Sequence, residues 1–386
     1  MDSETKQFVF AHLHDDVRLL ALRPAPEGVD LRFALQQIEA RQILADKVPS
    51  WVQHTDVEFP VRLSVEQCSS EAAARYKSGL LSGRSFVDLT GGLGVDCHFF
   101  ARHFGHVDYV ECNPCLAALA ERNFAVLNDH ICVHNADCET FLRSMPPVDA
   151  IYIDPARRDS AGRKTVSIAD CTPNVVDLQR LLLEKARQVL VKLSPMLDIA
   201  QLRRELRCVK SVHVVAVGNE CKETLVLLER DFTDEPTIFA VNLPDGTVFG
   251  FCPSDEKCAS CVLSESVSRY LYEPNAALLK AGAFRSVAVR YTLHKLHVSS
   301  HLYTSDTLQT DFPGRVFEVL GVAPFDKKTS RILLSDVTKA NLTVRNFPLS
   351  VAELRKRLKI AEGGDTYMFA TTLANGQKVL VRCRKV

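Results

Sequence analysis

Apolar positions change their spacing several times along the chain, and each change marks a different kind of element. Over 30–47, Leu31, Leu35, Ile38 and Ile43 recur at roughly helical spacing behind Asp30, a residue suited to cap the helix. Pro24 and Pro26 break the chain before this stretch and Pro49 breaks it after. A second helix is expected from about Ser70 through Glu71-Ala-Ala-Ala-Arg-Tyr to Leu81, so residues 1–80 read as helical. From Ser85 the pattern becomes short apolar runs separated by longer mixed stretches. Strands are expected at 85–89, 106–111, 131–135, 148–153 and 189–193, with helices at 95–104, 173–186 and 202–207. Runs at 212–217 and 225–228 close the series. Five parallel strands and a closing pair make an open α/β sheet over 81–232.

From about Asp231 the grammar changes again. Two short β-like runs, 237–243 and 247–251, flank the turn Pro244-Asp245-Gly246. Near the end, Ser350-x-x-Glu353 is a capping box for a helix reaching about Ile360, which Gly363-Gly364 stops. Asn375-Gly376 joins 366–372 to 378–384 as a hairpin.

Composition narrows the class. The chain has 386 residues, 46% hydrophobic and 24% charged, in the range of globular proteins of two to four domains. Its formal net charge is zero, so any attraction for nucleic acid must be local. No apolar run approaches the length of a membrane span, and the polar start, Met-Asp-Ser-Glu-Thr-Lys, is unlike an export signal. Thirteen scattered cysteines then suit a reduced, cytoplasmic setting better than a disulfide framework. Cys252, Cys258 and Cys261 have a spacing that could hold zinc or an iron–sulfur cluster, but a local fourth ligand is missing and no metal is expected.

The candidate chemistry lies between Ser85 and Arg158. The first strand ends in Asp88 and breaks into Thr90-Gly91-Gly92-Leu93-Gly94 before a helix, a ligand-binding arrangement because glycines allow close backbone approach. A dinucleotide fingerprint would want a third glycine where Cys97 stands, and Asp88 would repel a pyrophosphate. A cationic ligand suits that carboxylate better. Glu111, Asp137 and Asp154 follow at or just past the carboxyl ends of the next three strands, where open α/β sheets bind ligands. Each alone could be an ordinary helix cap.

The series Val-Asp-Leu-Thr-Gly-Gly-Leu-Gly, Glu111, Asp137 and Asp154-Pro155-Ala156-Arg157 resembles a class I S-adenosylmethionine-dependent methyltransferase. The resemblance implies that Asp88, Thr90, Gly91, Gly92 and Gly94 hold the methionine part of S-adenosyl-L-methionine, with Glu111 on the ribose and Asp137 near the adenine. It places Asp154 and Pro155 beside the transferred methyl. The stretch Glu66-Gln-Cys-Ser-Ser-Glu71 resembles the opening of a narrower bacterial group that ends in a THUMP-like domain, although Ser69 and Ser70 read by themselves as helix caps. In the same group, 270–282 and 301–306 resemble a small ferredoxin-like segment, where Glu273 and Asn275 could contact substrate or cap a helix.

The expected fold is therefore α/β: a seven-stranded Rossmann-like sheet with an N-terminal helical region and C-terminal α+β domains. Boundaries are expected at 1–80, 81–232, 233–310 (ferredoxin-like) and 311–386 (THUMP-like). From Thr343 onward nine basic residues face three acidic ones. Of these, Arg355, Lys356, Arg357, Arg382 and Arg384 are the candidate RNA contacts. THUMP domains present structured RNA to a fused catalytic domain, so the resemblance implies a base in tRNA or rRNA as methyl acceptor.

The fourth motif leaves the atom open. Amino-group methylation of a base usually employs an aromatic ring where Arg157 stands, and five-methyluridine enzymes need a cysteine after the fifth strand, where Lys192-Leu-Ser-Pro195 lies instead. Cys171 is the one nearby thiol and reads as structural. Asp154 is expected to orient the acceptor or take its proton, Arg157 to position it, and Lys192 to assist. Arg157, Arg158, Arg163 and Lys164 could also lie in a flap offered to phosphates. The alternatives are a non-catalytic RNA- and cofactor-binding protein, or a methyltransferase acting on a small molecule or a protein.

Overall fold

The computed structural model describes residues 1–156 and 168–386. The chain forms two compact units, Met1–Val217 with Lys222–Asp234, and Gly218–Cys221 with Glu235–Val386.

The first unit opens with short helices rather than two long ones: Ser3–Ala11, Val17–Leu20, Leu31–Leu44, Pro49–Val52, Arg62–Gln67 and Glu71–Ser78. Asp2, Asp16 and Asp30 each cap one through a main-chain N–H. Pro49 ends nothing by itself; it occupies the first turn of a new helix, where its missing N–H is harmless. Arg41 is buried, and its guanidinium donates to the carbonyls of Val52 and Val57, both at 2.7 Å. Burial lowers its pKa to about 10. Gln37 binds the main chain of Phe59 in both directions, at 2.8 and 2.9 Å.

The sheet then begins: β1 (Ser85–Asp88), β2 (His106–Glu111), β3 (Ile131–Asn135), β4 (Val148–Ile153), β5 (Ala186–Leu193), β6 (Val209–Val217) and β7 (Glu220–Glu229). Their order is β3-β2-β1-β4-β5-β7-β6. Strands β1 to β5 are mutually parallel and β7 is antiparallel to β5, as the alternation of runs predicts. Among the described residues the strand count of this sheet is nine rather than the expected seven. Strands β4 and β5 are near-continuous apolar runs because both their faces are covered. The helix after β1 stops at Phe100, short of Phe104. Both rings still pack on Phe86, at 4.5 and 5.1 Å, so the apolar spacing is real although the helix is not.

In the second unit β8 (Thr237–Leu243) and β9 (Thr247–Phe251) pair antiparallel around the expected turn. A second sheet follows, built from β10 (Tyr270–Pro274), β11 (His294–Lys295), β12 (Tyr303–Ser305), β13 (Gly314–Pro324), β14 (Asn341–Arg345), β15 (Thr366–Thr372) and β16 (Lys378–Lys385). Its order is β11-β12-β10-β13-β16-β15-β14. Strand β13 pairs with β10 on one side and with β16 on the other, so one sheet runs through both expected C-terminal segments. Two apolar clusters back it, one around Leu271, Phe317 and Phe369, the other around Leu342, Leu354 and Met368. The capping box forms: Ser350 Oγ accepts from Glu353 N–H at 3.3 Å, and Glu353 accepts from Ser350 N–H at 2.8 Å. Its helix, Val351–Leu358, ends earlier than the glycines suggest because Lys359 itself takes the left-handed cap conformation, φ +58°.

Asn123, on the helix Pro114–Val126, joins the N-terminal helices to the sheet domain by exchanging hydrogen bonds with the main chain of Glu58, at 3.0 and 2.8 Å. Asn123→Ala should lower unfolding free energy by about 2 kcal/mol, roughly 1 per bond. An unchanged urea midpoint would show that the joint carries no stability.

Candidate active site

Two glycines allow the turn after β1 to lie flat on aromatic rings. A Cβ on Gly91 would sit 2.0 Å from Tyr109, and one on Gly94 would sit 2.7 Å from Phe124. Gly94 also has φ +89°, a conformation side chains disfavour. The Tyr109 hydroxyl donates to the carbonyl of Gly92 at 2.6 Å and fixes the turn from below.

Three expected carboxylates border this turn. Asp88 is almost fully buried and accepts from Thr90 N–H at 3.0 Å. Burial, with Asp96, Asp154 and Glu111 nearby, pushes its pKa up to about 8 despite that bond. Glu111 accepts from Gly92 N–H at 2.8 Å through one oxygen and from Asn113 N–H at 2.7 Å through the other. Asp154 N–H donates to Thr90 Oγ1 at 2.7 Å, which ties the end of β4 to the glycine turn. Asp137 is farther along. It caps the helix Cys138–Ser144, with both bonds from Thr140 falling on Oδ1 at 2.9 and 3.0 Å. Those bonds hold its carboxyl below the usual range.

Lys192 reaches Asp154 Oδ2 at 2.5 Å. Burial would lower the ammonium pKa, but Asp154, Asp96 and Glu223 together raise it. Pro155 is buried beside this pair. Arg157 lies outside the described residues, as do Arg158, Arg163 and Lys164 of the expected flap.

Beneath lies a network that the sequence did not announce. Lys77 is fully buried, and its Nζ meets Ser69 Oγ at 2.6 Å, Asp96 Oδ1 at 2.9 Å and Glu223 Oε2 at 3.0 Å. Asp96 Oδ2 also accepts from Ser69 and Tyr152 hydroxyls, each at 2.8 Å. Burial alone would raise the Asp96 carboxyl, yet Lys77 and Lys192 hold it below its ordinary value. The expectation of two capping serines is thus half corrected. Ser70 caps the helix Glu71–Ser78, whereas Ser69 belongs to the network. The one local signal was a lysine among the buried Ala73, Ala74 and Ser78 of that helix. Cys68 was overlooked too: burial, then Asp96, push its thiol up while Lys47 and Lys192 pull it down. Cys171 is buried, as a structural thiol should be.

In the second unit Asn275 caps the helix Ala276–Ala281 through Leu278 N–H at 2.9 Å. Glu273 is no cap. It is buried and clamped by Arg315 and, at 3.0 Å, by Arg345. Most of the candidate RNA contacts already have partners. Arg382 pairs with Asp336 at 2.7 and 2.9 Å, and Arg384 with Glu318 at 2.5 Å. Arg355 donates to the carbonyl of Ala340 at 3.3 Å, and Arg357 lies over the Phe325 ring at 4.6 Å. Lys356 is exposed. The excess counted from Thr343 overlooked Glu318 and Asp336, which stand upstream of that segment.

Comparison with known proteins decides what carries this cleft. Residues 270–313 match a ferredoxin-like domain family, and residues 314–385 a THUMP domain-like family. A crystal structure of a candidate methyltransferase from Porphyromonas gingivalis W83 superposes with TM-score 0.90 at 35% identity, covering 100% of this chain and 99% of that one. The chain belongs to the class I S-adenosylmethionine-dependent methyltransferases that end in a THUMP-like domain. A methyltransferase-like structure from Listeria monocytogenes aligns at 10% identity and TM-score 0.39, over 63% of this chain and 94% of that one. One from Streptococcus mutans, in complex with S-adenosylhomocysteine, aligns at 16% and 0.32, over 41% and 96%. Both likenesses are too slight to carry an argument. No curated protein matches the chain.

The methyltransferase cleft thus rests on Lys77. Lys77→Met would strand Asp96 and Glu223 in the interior and should cost about 3 kcal/mol or more at neutral pH. Because the native Asp96 pKa is lowered, its contribution is present above the ordinary carboxylate range and is lost as pH falls through the native value. The gap between variant and parent in unfolding free energy should therefore narrow on acidification. A gap independent of pH would exclude the charge pairing as its cause.

Proposed function

We propose that the chain methylates a base in structured RNA, tRNA or rRNA, with S-adenosyl-L-methionine as donor. The observation that carries this reading is a THUMP domain-like segment with exposed basic residues on a chain whose sheet bears a methyltransferase cleft.

The residues suit the donor. The glycine turn leaves open space above Gly92, and among the described residues no cation is paired with the buried Asp88 carboxyl. Asp88, Thr90, Gly91, Gly92 and Gly94 would hold the methionine part, Glu111 the ribose, and Asp137 the adenine edge. Glu111 Oε2 accepts one bond, from Gly92 N–H, and so keeps a lone pair for a ribose hydroxyl. When bound, the donor supplies an electrophilic methyl on a sulfonium. At the cleft floor, among the described residues, two ammonium groups, Lys77 and Lys192, face three carboxylates, Asp96, Glu223 and Asp154, an excess of negative charge that suits a cation.

Lys192 fixes the direction of the Asp154 carboxylate through their contact, which leaves Asp154 as a hydrogen-bond acceptor for the nucleophile. Pro155 shields that side of the cleft, and Arg157 would steady the acceptor. Methyl transfer needs chiefly an in-line approach, so positioning can supply much of the acceleration. Burial leaves Cys68 and Cys171 poor nucleophiles, which disfavours attack through a protein thiolate. The thirteen free thiols suit the cytoplasm. One observation favours the alternative of a small-molecule or protein acceptor: Arg382 and Arg384 already have carboxylate partners.

Labelled donor given with the protein to total RNA from a strain lacking the gene should place label in tRNA or rRNA. Asp154→Ala should abolish transfer while RNA stays bound. Lys356→Ala with Arg357→Ala should flatten the salt dependence of RNA binding, by about 0.7–0.9 log unit per log unit of salt for each phosphate no longer neutralised. Label confined to protein or small-molecule extracts would end the RNA reading, and silence everywhere would favour a non-catalytic binder.

A further inference from the structure

Away from the cleft, the outer edge of the first sheet gathers a second set of reactive side chains. Asp108 on β2 lies directly opposite Cys132 on the edge strand β3, and His134 follows two residues along β3 on the same face. One donor atom from each lies within 4.8 Å of the others. Among the described residues no other three His, Cys, Asp or Glu side chains converge in this way; Cys252, Cys258 and Cys261 do not. We propose that Asp108, Cys132 and His134 bind a divalent cation of the zinc class.

The donor set selects the metal. Magnesium and calcium want oxygen on every side, whereas thiolate, imidazole and carboxylate together suit zinc or cobalt(II) in a tetrahedral site. Three protein ligands leave the fourth position to water, and the exposed thiol gives solvent access. His134 Nε2 already stands 2.7 Å from Asp108 Oδ1, so small side-chain rotations admit a metal between them. His106 Nε2, also on β2, is 3.2 Å from Asp108 Oδ2 and would orient the carboxylate from behind. The His134 ring is steadied by Phe141, at 4.7 Å between ring centres. Histidine–aspartate pairs alone would be ordinary ion pairs; the thiol facing the same carboxylate distinguishes this cluster.

The placement suggests a consequence. Asp108 stands three residues before Glu111, and His134 three before Asp137. A cation would therefore staple together the two strands that lead to Glu111 and Asp137, the residues proposed for the ribose and the adenine.

The test uses the full chain, reduced, stripped of metal and titrated with cobalt(II) without oxygen. One equivalent should develop the visible absorption of tetrahedral cobalt with a thiolate charge-transfer band, and zinc should displace it. Cys132→Ser should lose the charge-transfer band, and His134→Gln should weaken binding by more than tenfold. His106→Gln should weaken it by about tenfold, as an orienting residue does. Circular dichroism reports whether each variant stays folded. No coloured complex in the parent would overturn the proposal. So would Cys132→Ser and His134→Gln variants with the parent's spectrum and affinity, since the cobalt would then sit on other thiols. None of these readouts involves methyl transfer, so the outcome is independent of the RNA reading.

Discussion

Lys77 keeps no surface in water, and an ammonium group so placed must be repaid by charges at close range. Asp96 and Glu223 supply them, and in doing so bind three parts of the first unit together: the helix before the sheet, the first turn after the glycine loop, and β7. Asp96 in turn takes hydroxyls from Ser69 and from Tyr152 on β4. The glycine turn is therefore anchored at its far end by ions and from below by Tyr109. Its near end is fixed by Thr90, whose hydroxyl receives the Asp154 N–H. A cleft held at three points is preorganised, which suits a reaction that depends on approach geometry.

The same charges set the cleft's preference. Burial leaves Asp88 reluctant to ionise, with three further carboxylates in its field. Among the described residues, Lys192 and Lys77 offset only part of that negative charge. A ligand carrying a positive centre lowers the cost of ionising Asp88, whereas a pyrophosphate would raise it. The missing third glycine and the carboxylate at the end of β1 thus agree with each other in physical terms.

Much of this was legible because it was local. The apolar runs predict β1 to β5 and their parallel order, and Ser350-x-x-Glu353 and Asn375-Gly376 each specify a device that fits within a few residues. Acidic residues at strand ends also stand out, since each follows directly from its strand. What could not be read depends on partners far away in sequence. Lys77 and Glu223 lie 146 residues apart, and nothing near either announces the other. The clamp of Arg315 and Arg345 on Glu273 is hidden for the same reason. Counting charges in a window leaves out the counterions that Arg382 and Arg384 find on segments before it. That β13 pairs on both sides, with β10 and with β16, is likewise a matter of pairing rather than of sequence character.

The central claim is that the cleft is built for a cationic donor, and calorimetry tests it most directly. The full chain would be titrated with S-adenosyl-L-methionine near neutral pH in two buffers of different ionisation heat. Asp88 is largely protonated there with its pKa near 8, so a bound cation should expel its proton and the two apparent heats should differ. Asp88→Asn should abolish that difference, and NAD should bind far more weakly. Equal affinity for NAD, or no binding of either ligand, would contradict the account.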